Sequence, residues 1–203
     1  MVKGIWLILL FVLYACAQSG AHGPARNLTI QSSDGGSAVT EWSSDIAVNK
    51  GSTLHRRWYV INDFTCPVNL GVVGIKPAYL SGYSGSCRFN PVGDLTAKVA
   101  LSAVEVIFAQ FDIWGNRERN LSATEIRDLQ AGEGFKIKGS WYASEDDVSE
   151  QLTSVAFVRN AMIADGKIWR ADLDKVAALL QTVALKASAS GLEPEPRKEP
   201  EKK

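Results

Sequence analysis

The sequence has little of the material that metal centres and acid–base catalysts use. Its 203 residues include only two His and three Cys. It contains no Gly-rich phosphate loop and no His-Glu-x-x-His, Gly-x-Ser-x-Gly or Cys-x-x-Cys motif. His55 follows the alternation of a strand as an outward-facing polar residue, and His22 belongs to a Gly-rich stretch. We therefore predict no cofactor, no metal and no enzymatic activity.

The chain also lacks an excess of charge of either sign. Lys and Arg total 22, as do Asp and Glu, so the formal net charge is zero. Proteins that bind nucleic acid through its phosphates usually carry a basic excess, so no nucleic-acid partner is expected. The acidic residues Glu145, Asp146, Asp147 and Glu150 have a spacing that fits no calcium-binding loop. They are interpreted as a solvated turn between strands.

No apolar run is long enough to span a bilayer as a helix. The longest begins at Gly4, follows one positive charge at Lys3 and covers about ten residues, which is typical of a signal peptide. Two modes of processing stay open. The sequence Leu-Tyr-Ala-Cys ending at Cys16 resembles a lipobox, in which Cys16 carries the lipid. The alternative is ordinary cleavage after Ala17 or after Ala21, at the small-x-small sites Ala15-Cys16-Ala17 and Ser19-Gly20-Ala21. Either mode predicts an exported protein of the periplasm or cell envelope, and the first predicts a lipid anchor in a bacterial membrane.

Beyond the signal only Cys66 and Cys87 remain, and an exported chain with two cysteines favours one disulfide. The loop between them is rich in Gly and Pro and would gain roughly 3 kcal/mol of stability from the cross-link. Two buried thiols are the alternative.

Composition divides the chain into four parts. Residues 1–16 are the predicted signal peptide, and residues 17–37, rich in Gly and Ser, are a predicted flexible tether. Residues 38–187 are the predicted folded domain. Residues 188–203 are rich in Pro, Glu and Lys and are predicted to be a disordered tail.

Within the domain, alternating apolar residues predict strands near 54–61, 68–75, 98–112, 124–129, 135–141 and 155–163. The alternation changes phase near Ala103, which indicates a β-bulge, and apolar residues on both faces of 98–112 indicate a central strand. Asp165 and Gly166 predict a hairpin turn. An apolar stripe from Leu173 to Ala184, preceded by Asp172 as an N-cap, predicts a helix that ends near Lys186.

This pattern predicts an all-β fold: an immunoglobulin-like antiparallel β-sandwich with one C-terminal α-helix. Residues 104–137 resemble small immunoglobulin-like domains of bacterial envelope proteins, the group named for a Phe-x-Leu-Tyr-Asp motif. The resemblance rests on the pair Phe111-Asp112, on Gly115, and on the Leu-x-x-Gly-Glu turn that ends at Glu133. Gln110 departs from the motif. The resemblance implies an exported, non-catalytic sandwich and names no ligand.

Aromatic residues are the remaining candidates for binding. The phase of Trp58, Trp141 and Trp169 places them in the core, whereas Trp114 and Tyr142 are predicted to be exposed as a candidate partner surface. Two functional hypotheses follow. One is a lipid-anchored module that binds or scaffolds another envelope protein; the other is a carbohydrate-binding or hydrolytic accessory protein. A row of exposed aromatics along one sheet favours the second, and an apolar patch with few polar groups favours the first.

Overall fold

A computed structural model describes residues 25–47, 53–79 and 86–194 of the chain. The predicted signal peptide, Cys16 and the last nine residues of the predicted tail lie outside these ranges, so the predictions made for them stay predictions.

The described residues form thirteen strands and two helices. The strands are β1 (Ala25–Gln31), β2 (Ser37–Ala47), β3 (Thr53–Asp63), β4 (Val68–Leu70), β5 (Gly74–Tyr79), β6 (Ser86–Val92), β7 (Leu95–Ala97), β8 (Leu101–Phe111), β9 (Arg117–Leu129), β10 (Gly134–Phe135), β11 (Trp141–Ser144), β12 (Thr153–Ile163) and β13 (Ile168–Arg170). The helices are α1 (Glu145–Glu150) and α2 (Leu173–Thr182), and a 3-10 turn follows at Ser190–Leu192.

Seven strands make one large sheet in the order β1-β2-β3-β12-β8-β9, with β13 paired to β12. All neighbours are antiparallel except β3 and β12, which run parallel. The predicted bulge is confirmed by the pairing of β8 with β12: Met162 pairs with Ala103 and Ile163 with Leu101, so that Ser102 is an extra residue on β8. The predicted central position of this strand is also confirmed, since β8 lies between β12 and β9.

The second layer is a three-stranded sheet that is broken across its middle. One half has the order β10-β7-β4 and the other half β11-β6-β5. Consecutive strands on either side of the break, such as β4 and β5, share one apolar pattern in the sequence, and this pattern predicted a single strand. For this reason the strands predicted over 68–75 and 135–141 are each interrupted, although burial still alternates through Phe135, Lys136 and Ile137.

Two apolar cores lie on opposite faces of the large sheet. Val104, Val106 and Phe108 of β8 face the broken sheet in the first core. The intervening Ile107 and Ala109 face α2 in the second. The protein is therefore a sandwich with a helix as a third layer, and the predicted all-β class with a C-terminal helix is confirmed.

Helix α2 covers the far face of the large sheet as predicted, with two differences. Its N-cap is Asp172, whose carboxylate accepts hydrogen bonds from the backbone of Asp174 and Lys175. The helix ends at Thr182, earlier than expected, because the chain turns at Ala184, which has a φ of 61°. Leu179 is buried beside the expected Leu180, and Ala184 is exposed.

The boundaries predicted for the tether and the tail are corrected where the structure describes them. Residues 25–31 form β1, which pairs with β2 along its length, so the Gly- and Ser-rich residues 32–36 are a hairpin turn. At the other end, Leu192 is fully buried. The side chain of Asn120 donates hydrogen bonds to the carbonyls of Gly191 and Glu193 at 2.8 and 2.7 Å. Order therefore continues beyond residue 188.

The acidic segment predicted as a turn is instead helix α1. Ser144 and Asp147 form a reciprocal capping box, in which each side chain accepts a hydrogen bond from the backbone of the other residue. Glu145, Asp146 and Asp147 lie in the first helical turn, where the helix dipole favours negative charge, whereas Glu150 is the last residue of the helix.

Candidate functional site

Trp114, half of the predicted partner surface, lies in the turn between β8 and β9. Its side chain is 75% exposed and that of the neighbouring Ile113 is 65% exposed. Two adjacent large apolar side chains therefore project into solvent from one turn. The prediction that Trp114 is exposed is confirmed.

Hydrogen bonds from neighbouring residues fix the conformation of the turn that carries Trp114. The Asp112 carboxylate accepts hydrogen bonds from the backbone of Trp114 and Asn116, both at 2.8 Å. Burial acts to raise the pKa of Asp112, but these bonds and that from the Asn116 amide outweigh it and hold the pKa below its usual value. Gly115 has a φ of 75°, and its carbonyl accepts a hydrogen bond from the backbone of Lys186 at 2.7 Å. A side chain at position 115 would meet the Ala184 carbonyl.

Tyr142, the other half, is 72% exposed and lies on β11, an edge strand of the broken sheet. The Arg88 guanidinium lies 4.7 Å from the Tyr142 ring centroid and donates a hydrogen bond to its hydroxyl at 3.2 Å. Trp114 lies in the turn between β8 and β9, and among the described residues no hydrogen bond or ring contact joins it to Tyr142.

A larger exposed surface lies on the α2 side of the large sheet, beyond the area that the helix covers. Ile168 pairs with Met162, Met162 with Ala103, and Ala103 with Ile126. These four residues form one row across four strands, about 14 Å long at the usual strand spacing. Ile168, Met162 and Ile126 are 47%, 40% and 79% exposed.

The next row of the same surface is polar. Arg170 pairs with Asn160, Asn160 with Glu105, and Glu105 with Thr124. The Glu105 carboxylate accepts hydrogen bonds from the side chains of Asn160 and Ser122 at 2.5 and 2.8 Å. We call this surface the open face; its eight residues are Ala103, Glu105, Thr124, Ile126, Asn160, Met162, Ile168 and Arg170.

The open face was not predicted, although the sequence of β12 contains the apolar pattern that indicates it. Val155 and Phe157 share one face of β12, and the bulge between Val158 and Asn160 reverses the phase, so that Met162 follows on the same side. A strand whose apolar positions continue beyond the end of the covering helix leaves some of them exposed. The length of α2 relative to the sheet was the missing information.

His55 is an outward-facing polar residue of β3, as predicted. His55 is exposed, and its Nδ1 lies 2.9 Å from the Asp45 carboxylate. No cluster of three or more His, Cys, Asp or Glu with metal-binding geometry occurs in the described part of the chain. No helix within residues 25–47, 53–79 and 86–194 has the length and apolar character to cross a membrane.

The predicted disulfide between Cys66 and Cys87 is corrected: both residues are free, buried thiols. Cys66 precedes β4, and its sulfur accepts a hydrogen bond from the Val68 backbone. Cys87 lies on β6 in the other half of the broken sheet and donates to the carbonyls of Ala143 and Ser144 at 3.1 Å. The break between the half-sheets separates the elements that carry the two sulfurs.

Burial raises the pKa of both thiols, that of Cys66 from 9.0 to about 12. A raised pKa stabilises the fold below pH 9, and this contribution is lost as pH rises from 9 through 12 because the unfolded thiol ionises first. Between pH 10 and 11 we expect wild-type protein to lose about 1.3 kcal/mol more unfolding free energy per pH unit than Cys66→Ala. Urea denaturation at each pH measures the unfolding free energy. If the plots of this free energy against pH are parallel for the two proteins above pH 9, the prediction is contradicted.

The residue that interrupts the apolar pattern of β3, Arg56, belongs to an internal cluster. Arg56 is 1% exposed and donates a hydrogen bond to the Gln151 carbonyl, while Arg119 donates to the Gln151 side chain at 3.1 Å. Both guanidinium carbons lie 5.3 Å from the centroid of the Phe89 ring. These contacts fasten the large sheet to the broken sheet and to the end of α1.

Comparison of the chain with protein-family models, with curated proteins and with solved structures found no match. The resemblance to the immunoglobulin-like envelope group therefore stays a prediction.

Proposed function

We propose that this protein is a non-enzymatic, exported module of the bacterial cell envelope, lipid-anchored through Cys16, that binds another envelope protein through the open face. The observation that carries the proposal is the row Ile168–Met162–Ala103–Ile126. A row of apolar side chains beside polar ones is the usual composition of a surface that a protein partner covers.

The chemistry of the open face favours a protein partner over a sugar. Sugars stack on aromatic rings, and the exposed row consists of aliphatic side chains and a thioether. The exposed Trp114 and Tyr142 lie on separate elements. An apolar ridge on the partner, about four side chains long, would fit along the row, and Arg170 and Glu105 would lie beside it to align polar groups.

In-cell photo-crosslinking tests this proposal. A photoreactive amino acid at Ile126, in a bacterial host that exports the protein, should give one defined heterologous product. The matched control is the same substitution at Ala178, which is exposed on α2. Met162→Asp should abolish the product from position 126 and change stability by no more than about 0.5 kcal/mol, as is usual at the surface.

Two results contradict the proposal. One is the same set of products from positions 126 and 178, which indicates collision without a binding face. The other is an undiminished product at position 126 in the Met162→Asp protein, which indicates that the row does not form the contact.

A further inference from the structure

The turn with Ile113 and Trp114 lies apart from the open face. It projects beyond Phe111, whereas Ala103 of the open face lies eight residues earlier on the same strand. At about 3.3 Å per residue, the two surfaces are about 26 Å apart along β8. A partner bound along the row of Ala103 therefore leaves Ile113 and Trp114 uncovered.

The strand register shows which end of the large sheet carries this turn. One row of paired residues crosses the sheet through Ala25, Ser43, Arg57, Thr153, Phe111 and Arg117. Ala25 begins β1, so the chain that precedes it leaves the sheet at the end from which the turn projects. The start of β1 and the turn after β8 are four strand spacings apart, about 19 Å.

Chain length then limits how far this end can lie from a lipid on Cys16. Eight residues lie between Cys16 and Ala25, and the nine Cα-to-Cα steps that join the two reach at most about 30 Å when the chain is fully extended. An anchored domain consequently keeps Ala25 within about 30 Å of the bilayer surface. The turn lies about 19 Å across the sheet from Ala25, and β2 and β3 continue past the same row as far as the pair Ala47 and Thr53. The turn therefore meets the bilayer when the domain tilts toward its β8–β9 side.

We propose that Ile113 and Trp114 dock into the interfacial layer of the lipid bilayer. This inference rests on the proposed anchoring at Cys16. The amphipathic Trp ring favours the headgroup region, and the adjacent Ile adds apolar area. Two side chains bind a membrane weakly from solution, but the tether makes their insertion intramolecular and raises the effective concentration of the surface.

Charges near the turn indicate which lipid is required. Arg57 and Lys186 are exposed at this end, and so is Glu118. Because charges of both signs are present, docking depends on the interfacial layer itself and should occur on neutral phosphatidylcholine. The open face lies about 26 Å farther along β8 than the turn, so a partner reaches it while the turn is docked.

Tryptophan fluorescence of the full chain in phosphatidylcholine vesicles tests the docking. The protein is produced in an exporting bacterium, extracted from its membranes and added to vesicles brominated on the acyl chain near the headgroup. The difference between wild type and Trp114→Phe isolates residue 114 from the other tryptophans. We expect this signal to shift to the blue and to fall at least twofold in brominated vesicles relative to unbrominated ones.

The matched control places a tryptophan on the open face. In the double variant Trp114→Phe and Ile126→Trp, the signal from position 126 should be insensitive to brominated lipid and quenched by iodide from the water. Residues 114 and 126 have similar exposures of 75% and 79%, so a difference between them reports position relative to the membrane.

The possible outcomes distinguish a failure of the docking proposal from a failure of the proposed anchor at Cys16. Vesicle flotation of wild type with a Trp114 signal quenched by iodide, and not by brominated lipid, overturns the docking alone and leaves the turn as a protein-binding site. Failure of wild type to float overturns both proposals. Flotation of Cys16→Ser as efficient as that of wild type contradicts the Cys16 anchor, and the Trp114 signal then decides the docking by itself.

Discussion

Leu180→Asp is expected to unfold the protein or to detach helix α2. Leu180 is fully buried between α2 and the large sheet. The substitution removes a large apolar side chain from the core and places a carboxylate where no water reaches it. The expected loss is more than about 4 kcal/mol, a large part of the 5–15 kcal/mol typical of a domain. Thermal melting and urea denaturation measure it.

The matched control is Ala178→Asp on the exposed side of the same helix. Asp is a poorer helix former than Ala, so this change should lower stability by about 0.7 kcal/mol. A melting temperature of Leu180→Asp equal to that of Ala178→Asp would mean that α2 is not docked in solution.

Trp58→Ala is expected to lower the unfolding free energy by about 3–5 kcal/mol, the usual loss for a large buried aromatic residue. Trp58 of β3 is 1% exposed, and its ring lies against Gly74 of β5 in the broken sheet. Trp114→Ala is the control, because a surface change of the same chemistry should stay within about 0.5 kcal/mol. Equal losses in the two variants contradict this assignment.

A second arm of this experiment uses Gly74, which lies against the Trp58 ring. A Cβ at position 74 would come within 2.5 Å of the indole carbon Cδ2. Gly74→Ala should therefore cost about 1–3 kcal/mol in wild type through overpacking. In the Trp58→Ala background it should cost much less, because the obstructing ring is gone; an unchanged cost contradicts the packing.

Aromatic residues show where sequence phase is sufficient and where it is not. Trp58 is in the core as predicted, and Trp114 and Tyr142 are exposed as predicted. Trp141 and Trp169 are only partly buried against the same core. The Trp141 ring contacts Phe108 with centroids 5.9 Å apart, but Trp141 lies on the edge strand β11. Alternation indicates the face of a strand and carries no information on how far the opposite sheet extends.

Local signals in the sequence by themselves determined several elements. The double-faced apolar pattern of β8, its bulge, the hairpin after β12 and the N-cap at Asp172 were all predictable. Each depends on residues within a few positions of one another, because pleat, turn geometry and capping are short-range properties.

Only the tertiary structure decided the rest. The Gly- and Ser-rich residues 32–36 form a hairpin turn because β1 finds β2 as a partner. The two cysteines stay apart because a break divides the second sheet between the strands that they flank or occupy. The open face exists because α2 covers only part of this side of the sheet: the chain that follows the helix leads to Gly115, at the end of β8 opposite to Ala103. Pairing partners, sheet breaks and the extent of a covering layer depend on residues far apart in the chain, and no local pattern encodes them.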